Sequence, residues 1–317
     1  MIVHGVVECG LARDESAYDT MHNPHAGTTS PSVPADEQLG GGTQYAQPFG
    51  WWGYHWTPPE PRSIVWLLRA GALDAQLAAF LTLAVEARRS LIVVASPHEA
   101  GKTTLLTALL DFLPAGTHPV YLRGWYERFA FLDSVPAEQA YVLCNEISGH
   151  LPTYMWGDGV RRVFDAAAQG YPLATTMHAS NAKDVFEQLA AYPLDVPTRR
   201  LGVIDLVVAL EVGYINNAVV RRITRVERVA IDEADTDTPR VTVLASREPL
   251  RAALDTHPGR LVAALARWYA CTDDAAATML ARRERRLEAW SRAGLLTPGE
   301  VRAALAADRN QPRDETS

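Results

Sequence analysis

Lysine is almost missing from this chain: of 30 lysine and arginine residues only Lys102 and Lys183 are lysine. Cysteine is scarce too. Cys9, Cys144 and Cys271 lie far apart and match no metal-ligand or redox spacing. Cys144 stands in an apolar run and reads as a small buried hydrophobe. No apolar stretch approaches the ~20 residues that a membrane-spanning helix needs, so direct membrane insertion is not expected. The first residues carry His4, Glu8, Arg13 and Asp14 in place of a basic start and a long apolar core. That is unlike a secretory signal and makes the cytoplasm the expected location. Excess positive charge is absent as well. The net charge of -7 lacks the electrostatic footprint of a dedicated nucleic-acid binder, so no nucleic-acid partner is expected.

What is present is the balance of a globular protein, 48% hydrophobic and 21% charged over 317 residues, with room for one large or two modest domains. Residues 1–47 are rich in Gly, Ser, Thr, Pro, Asp and His and read as a disordered N-terminal tail. Residues 48–72 include the aromatic run Phe49 to Trp56 and read as a linker whose aromatics pack onto the following domain, in preference to forming a partner-binding patch. That domain spans 73–250. Leu73, Leu77, Phe80, Leu81 and Ala84 form one helical face, and Leu91 to Ala95 is a wholly apolar run of the kind buried in a parallel sheet. A helix near 103–112 follows, with strands expected at 120–122, 141–144, 173–177 and 204–210 and helices near 159–169 and 182–190. Strand alternating with helix predicts an α/β fold, a mostly parallel sheet with helices on both faces. Val219 to Val229 and Arg240 to Leu244, joined by an acidic turn, predict an antiparallel extension. Residues 251–317 predict a helical C-terminal tail. In it Thr297-Pro298-Gly299-Glu300 has capping-box spacing, and Arg282, Arg283, Arg285 and Arg286 read as a solvated face.

The chemistry concentrates between the apolar strand and the helix after it, in Ser96-Pro97-His98-Glu99-Ala100-Gly101-Lys102-Thr103-Thr104. A phosphate loop needs this layout: backbone N–H groups at a helix N-terminus cradle phosphates, a lysine reaches the terminal phosphates, and a hydroxyl binds Mg²⁺. In a chain that nearly always writes positive charge as arginine, one of two lysines stands where a flexible point charge suits the loop. The bland alternative is an ordinary strand–turn–helix with a solvated lysine. Two positions depart from the glycine-rich pattern, Ser96 and Glu99.

With that loop placed, residues 62–229 resemble the type II/type IV secretion and pilus-assembly ATPases, most closely the tight-adherence pilus branch. The run Leu67 to Leu73 and the helix after it look like the family's lead-in to a RecA-like P-loop NTPase domain. Tyr141-Val142-Leu143-Cys144-Asn145-Glu146 matches the Walker B strand, with Glu146 as the implied water-polarising glutamate and Ser148 in place of an arginine. Thr175-Thr176-Met177-His178-Ala179-Ser180-Asn181 matches the histidine box, with His178 implied as a γ-phosphate sensor. The family's acidic box is reduced: Arg123 and Gly124 replace its acidic pair and Glu127 alone remains as an implied metal residue beside Thr103. Arg123, Arg161, Arg162, Arg199 and Arg200 are the candidates to neutralise phosphate charge from outside the loop. The resemblance implies ATP and Mg²⁺ as ligands and hydrolysis to ADP and phosphate. It also implies a ring of usually six copies, inner-membrane secretion or pilus platform proteins as partners, and a cytoplasmic or peripheral inner-membrane location. The altered positions leave a second reading open, a non-catalytic nucleotide-binding or scaffolding subunit of the same fold. A DNA-handling ATPase is disfavoured by the acidic balance.

Overall fold

The computed structural model describes residues 61–96, 99–151, 154–232 and 235–310. The expectations for the N-terminal tail, for the aromatic run Phe49 to Trp56, and for Pro97 and His98 lie outside the described residues.

Three of the parallel strands, β1 (Leu91–Val94), β3 (Ala140–Cys144) and β4 (Leu173–Met177), are buried at every position. Such strands need cover on both faces, and βαβ crossovers supply it. With β2 (His118–Tyr121) and β5 (Leu206–Ile215) they form five parallel strands in the order β2-β3-β4-β1-β5. Pro119 lies in β2, the edge strand, where a missing N–H breaks no ladder on the open side. β6 (Ala218–Asp232), β7 (Asp235–Ser246) and β8 (Asp255–Thr256) continue the same sheet antiparallel beyond β5.

Strand alternation sorts the core into two halves. Leu91, Val93, Leu143, Ala174 and Val208 face one side, packed by α1 (Ile64–Arg69), α2 (Ala75–Glu86) and α3 (Lys102–Leu110). Ile92, Val94, Val142, Cys144 and Met177 face the other, packed by α4 (Asp158–Ala168) and α5 (Ala182–Ala190). Helices therefore cover both faces of the sheet. The Cys144 thiol is pushed up to about 12, chiefly by burial, as befits a small hydrophobe.

Three further helices, α6 (Pro258–Tyr269), α7 (Asp273–Ala293) and α8 (Pro298–Asn310), join the first half-core through Leu261, Leu265, Leu287, Trp290 and Val301. Fully burying a side chain such as Leu287 contributes roughly 1.5–3 kcal/mol, so these helices are held by the same core as the sheet. Buried Ser63 ties the two ends of the described chain together. Its hydroxyl donates to the Leu296 carbonyl at 2.7 Å and accepts from Trp66 N, capping α1. The capping box at α8 is formed reciprocally: Thr297 N donates to Glu300 Oε2 at 2.9 Å, and Glu300 N to Thr297 Oγ1 at 3.3 Å.

One expectation needs correcting. The arginine run of α7 is not a single solvated face. Helical geometry turns Arg283 and Arg286 inward while Arg282 and Arg285 stay exposed. Arg283 pairs with Glu86 of α2 and lies over the Phe112 ring, and Arg286 pairs with Asp308 of α8 at 2.8 Å. Among the described residues no helix is long and apolar enough to cross a membrane.

Candidate functional site

The C-terminal ends of β3, β4 and β1 lie side by side, because Cys144 pairs with Thr175 and Val94 with Met177. Ligands of open α/β sheets bind in this region. Each strand delivers one of the residues singled out by the sequence: β3 leads to Glu146, β4 to His178, and β1 to the loop that ends at Lys102. The chain around Glu146 is pinned to β4 by two bonds, Thr176 Oγ1 to Asn145 O at 2.7 Å and Ile147 N to Thr176 O at 3.0 Å.

α3 starts at Lys102, and its N-cap, Gly101, sits at φ 95°. Glycine adopts this left-handed turn without a Cβ penalty and offers no side chain to cap the helix. The first amides of α3 and the positive end of its dipole therefore make an anion-favouring end. Glu99 is also left-handed at φ 59° and is exposed.

Lys102 is 8% exposed, so the alternative of a solvated lysine does not hold. Burial lowers its pKa, and the nearby Glu146 carboxylate opposes that shift. The ammonium lies 3.3 Å from Nε2 and 3.5 Å from Nδ1 of His178. His178 Nε2 lies 3.6 Å from Glu146 Oε1. At 12% side-chain exposure, Glu146 is not a solvated strand-end carboxylate either. The structure thus brings Lys102, Glu146 and His178 together from three separate stretches of chain.

Ser96 borders this cluster, its carbonyl 3.4 Å from His178 Nδ1. Thr103 and Thr104 occupy the first turn of α3, both half-buried. Ser96 Oγ is 2.8 Å from Ser180 Oγ, which joins the loop to the residues after β4. Glu127 bonds main-chain groups of its own turn. Its oxygens accept from Arg123 N at 2.9 Å and Phe129 N at 2.6 Å, which closes the turn after β2. Among the arginine candidates, Arg161 pairs with Asp158 and Asp195, Arg200 pairs with Asp165, and Arg162 lies over the Phe129 ring. Arg199 is exposed.

Two contributors carry no local signal in the sequence. Gln188 of α5 donates to the His178 carbonyl at 2.8 Å and holds that end of β4. Arg221 of β6 donates from Nε to the Glu99 carbonyl at 2.7 Å.

The left-handed Glu99 gives a direct test of charge at this loop. Glu99→Gln removes the carboxylate alone, and Glu99→Gly also removes the Cβ penalty. Both should tighten ATP binding about two- to fivefold at low salt, the scale of an exposed charge interaction. The gain from Gln should shrink in high salt. Calorimetry at two salt concentrations measures this, and unchanged affinity for both variants would refute a role for Glu99 in opposing phosphate.

No protein-family model matches the chain. Two proteins of Methanocaldococcus jannaschii are similar to part of it. The uncharacterized protein MJ0900 is 25% identical over 191 residues, 53% of this chain and 34% of that protein. The uncharacterized protein MJ1287 is 26% identical over 157 residues, 41% of this chain and 55% of that protein. The matched region therefore spans only about a third to about half of these relatives. Among solved structures the chain is similar to the VirB11 ATPase from the Brucella suis type IV secretion system, in complex with sulphate. That alignment has 23% identity and a TM-score of 0.39, covering 55% of this chain and 56% of that one. The Legionella pneumophila ATPase DotB aligns with 16% identity and a TM-score of 0.38, covering 57% of this chain and 53% of that one.

Proposed function

We propose that this chain binds ATP with Mg²⁺ through a RecA-like P-loop domain and hydrolyses it as a subunit of a type II/type IV secretion or pilus-assembly machine. The tight-adherence pilus branch is the nearest in motif. The main support is Lys102. A buried ammonium at the first residue of a helix, beside a left-handed glycine and with its charge only partly compensated, fits a phosphate group. The donor set also suits an anion: helix-end amides, an ammonium and an imidazole converge at the C-terminal ends of adjacent strands.

In this reading the loop amides and Lys102 hold the phosphates, and the Thr103 hydroxyl ligates Mg²⁺. Bound there, the metal would neutralise phosphate charge. Glu146 accepts a proton from the attacking water, and Gln188 and Thr176 keep the two strand ends in register with it. His178 lies between Lys102 and Glu146 and is placed to respond when the ammonium turns to phosphate. The Lys102–His178 contact would therefore loosen on binding, since the charged phosphate draws the ammonium more strongly than the imidazole does.

A ring of copies, usually six, a cytoplasmic or peripheral inner-membrane location, and platform proteins as partners belong to the same proposal by motif resemblance. The scaffold reading keeps one specific observation in its favour: Glu127, the last residue of the acidic box, has both oxygens engaged by main-chain N–H groups. Phosphate release by the purified protein, with and without Mg²⁺, decides between them. Mg²⁺-dependent release supports the motor. Firm Mg-ATP binding with no release, even with membrane partners added, would leave the scaffold.

A further inference from the structure

The antiparallel part of the sheet reaches over the phosphate loop. β5 runs parallel to β1, but β1 ends at Val94, opposite Ala209, while β5 continues to Ile215. Val212, three residues past that end, pairs with Arg221 of β6. Three strand residues advance about 10 Å, so Arg221 stands beyond the end of β1, where the loop emerges. The strand that carries it is anchored nearby: Ile223 is buried and its N–H donates to the Ala72 carbonyl at 2.8 Å.

From there the Arg221 side chain crosses the loop. Its Nε donates to the Glu99 carbonyl at 2.7 Å, and its Cδ lies 3.5 Å from where a Cβ on Gly101 would stand. It thus covers the two left-handed positions before α3, Glu99 at φ 59° and Gly101 at φ 95°. Glycine holds such a conformation freely, whereas a residue with a Cβ persists there only when its surroundings impose it. Among the described residues, the Arg221 bond is a constraint on the Glu99 backbone. In a planar trans peptide the carbonyl and the next N–H point opposite ways. Fixing the Glu99 carbonyl toward β6 therefore also fixes the direction of the Ala100 N–H.

We propose that Arg221 is a positioning residue for nucleotide binding: it clamps the Glu99 carbonyl and sets the phosphate loop in its binding conformation from the antiparallel extension. This rests on the reading of the loop as a phosphate site. It assigns to a non-glycine loop an external brace that a glycine-rich one does without. Nε is one of five guanidinium donors, and the planar fork suits a carbonyl clamp that an ammonium reproduces poorly.

The test is calorimetric affinity for Mg-ATP in the full chain, across wild type, Arg221→Ala, Arg221→Lys, Glu99→Gly and the Glu99→Gly/Arg221→Ala double variant. Arg221→Ala should lose roughly tenfold in affinity, the scale of one charged hydrogen bond. Arg221→Lys should stay within about threefold of the alanine variant, because it restores charge without the fork. In the Glu99→Gly background the loss should shrink to about threefold or less, since a loop free of left-handed strain needs no clamp. That coupling is a readout which general destabilisation would not move, and thermal midpoints of all five proteins check folding independently. Should Arg221→Ala fail to fold, Arg221→Lys against wild type carries the same comparison. If wild type binds and Arg221→Ala binds equally, the clamp is overturned while the P-loop reading stands. Recovery of wild-type affinity by Arg221→Lys, or an undiminished loss in the Glu99→Gly background, also overturns it. Absence of ATP binding by wild type removes both readings together.

Discussion

Lys102→Ala should weaken Mg-ATP binding by more than about tenfold, because a charge-assisted contact to phosphate is worth on the order of 1.5–3 kcal/mol. The same residue should have the opposite effect on the free protein. Burial lowers the Lys102 pKa, so the folded state holds its ammonium at a cost that the Glu146 carboxylate offsets only in part. Lys102→Met keeps much of the stem and removes the charge. It should match or exceed wild-type stability near neutral pH while losing nucleotide affinity. The pH dependence has a definite sign. Between the lowered folded-state pKa and the ordinary lysine value the unfolded chain binds more protons, so this residue's contribution to wild-type stability rises with pH. The stability gap between Lys102→Met and wild type should therefore be fully present at neutral pH and close as pH rises through the folded-state value. Calorimetric affinity and denaturant midpoints at several alkaline pH values measure both halves. Equal nucleotide affinity in wild type and Lys102→Ala would end the phosphate-loop assignment.

The lysine could be read from sequence while its surroundings could not. Its identity was legible because the chain otherwise writes positive charge as arginine. The parallel strands were legible for a similar reason, since Leu91–Val94, Tyr141 to Cys144 and Leu173–Met177 are too apolar for anything but a doubly covered sheet. Their order was not, because nothing local tells β1 to insert between β4 and β5. Only that insertion brings His178 and Glu146 to Lys102. The reach of β5 was also hidden. Glu211 and Gly213 break the apolar run near Leu210, yet the strand continues to Ile215. Asn216 and Asn217, both with positive φ, turn it into β6 as a two-residue hairpin. Asparagine tolerates the left-handed region, so that turn carried a readable signal that the acidic stretch 232–237 overshadowed. Arg221 follows four residues later and meets Glu99 across 122 positions of sequence, a distance at which one arginine among many is indistinguishable. Glu127 was legible only as a motif position; that its oxygens accept main-chain N–H groups of its own turn was not.

Glu146→Gln should abolish turnover while sparing ATP binding. The two side chains share a shape, so the contact with His178 and the packing at 12% exposure are kept while the proton acceptor is lost. General-base participation is typically worth ~10²–10⁴-fold in rate, which sets the expected fall in phosphate release. The fall should sit toward the upper end here, because the acidic pair is replaced by Arg123 and Gly124 and the remaining carboxylate of that box, Glu127, accepts main-chain N–H groups of its own turn. Affinity should hold or improve slightly. Glu146 opposes the burial shift of Lys102, so its negative charge competes with phosphate for the ammonium in the free protein, and the neutral amide competes less. A loss of rate with unchanged or tighter binding separates a chemical role from a structural one, since a collapsed site would lose both. Phosphate-release rates and calorimetric affinities on the same preparations give the comparison. Turnover that survives Glu146→Gln would mean that the water-activating carboxylate lies elsewhere. Turnover absent from the wild type would give Glu146 a different role, holding the Lys102 ammonium and the His178 ring in a site that binds nucleotide without cleaving it.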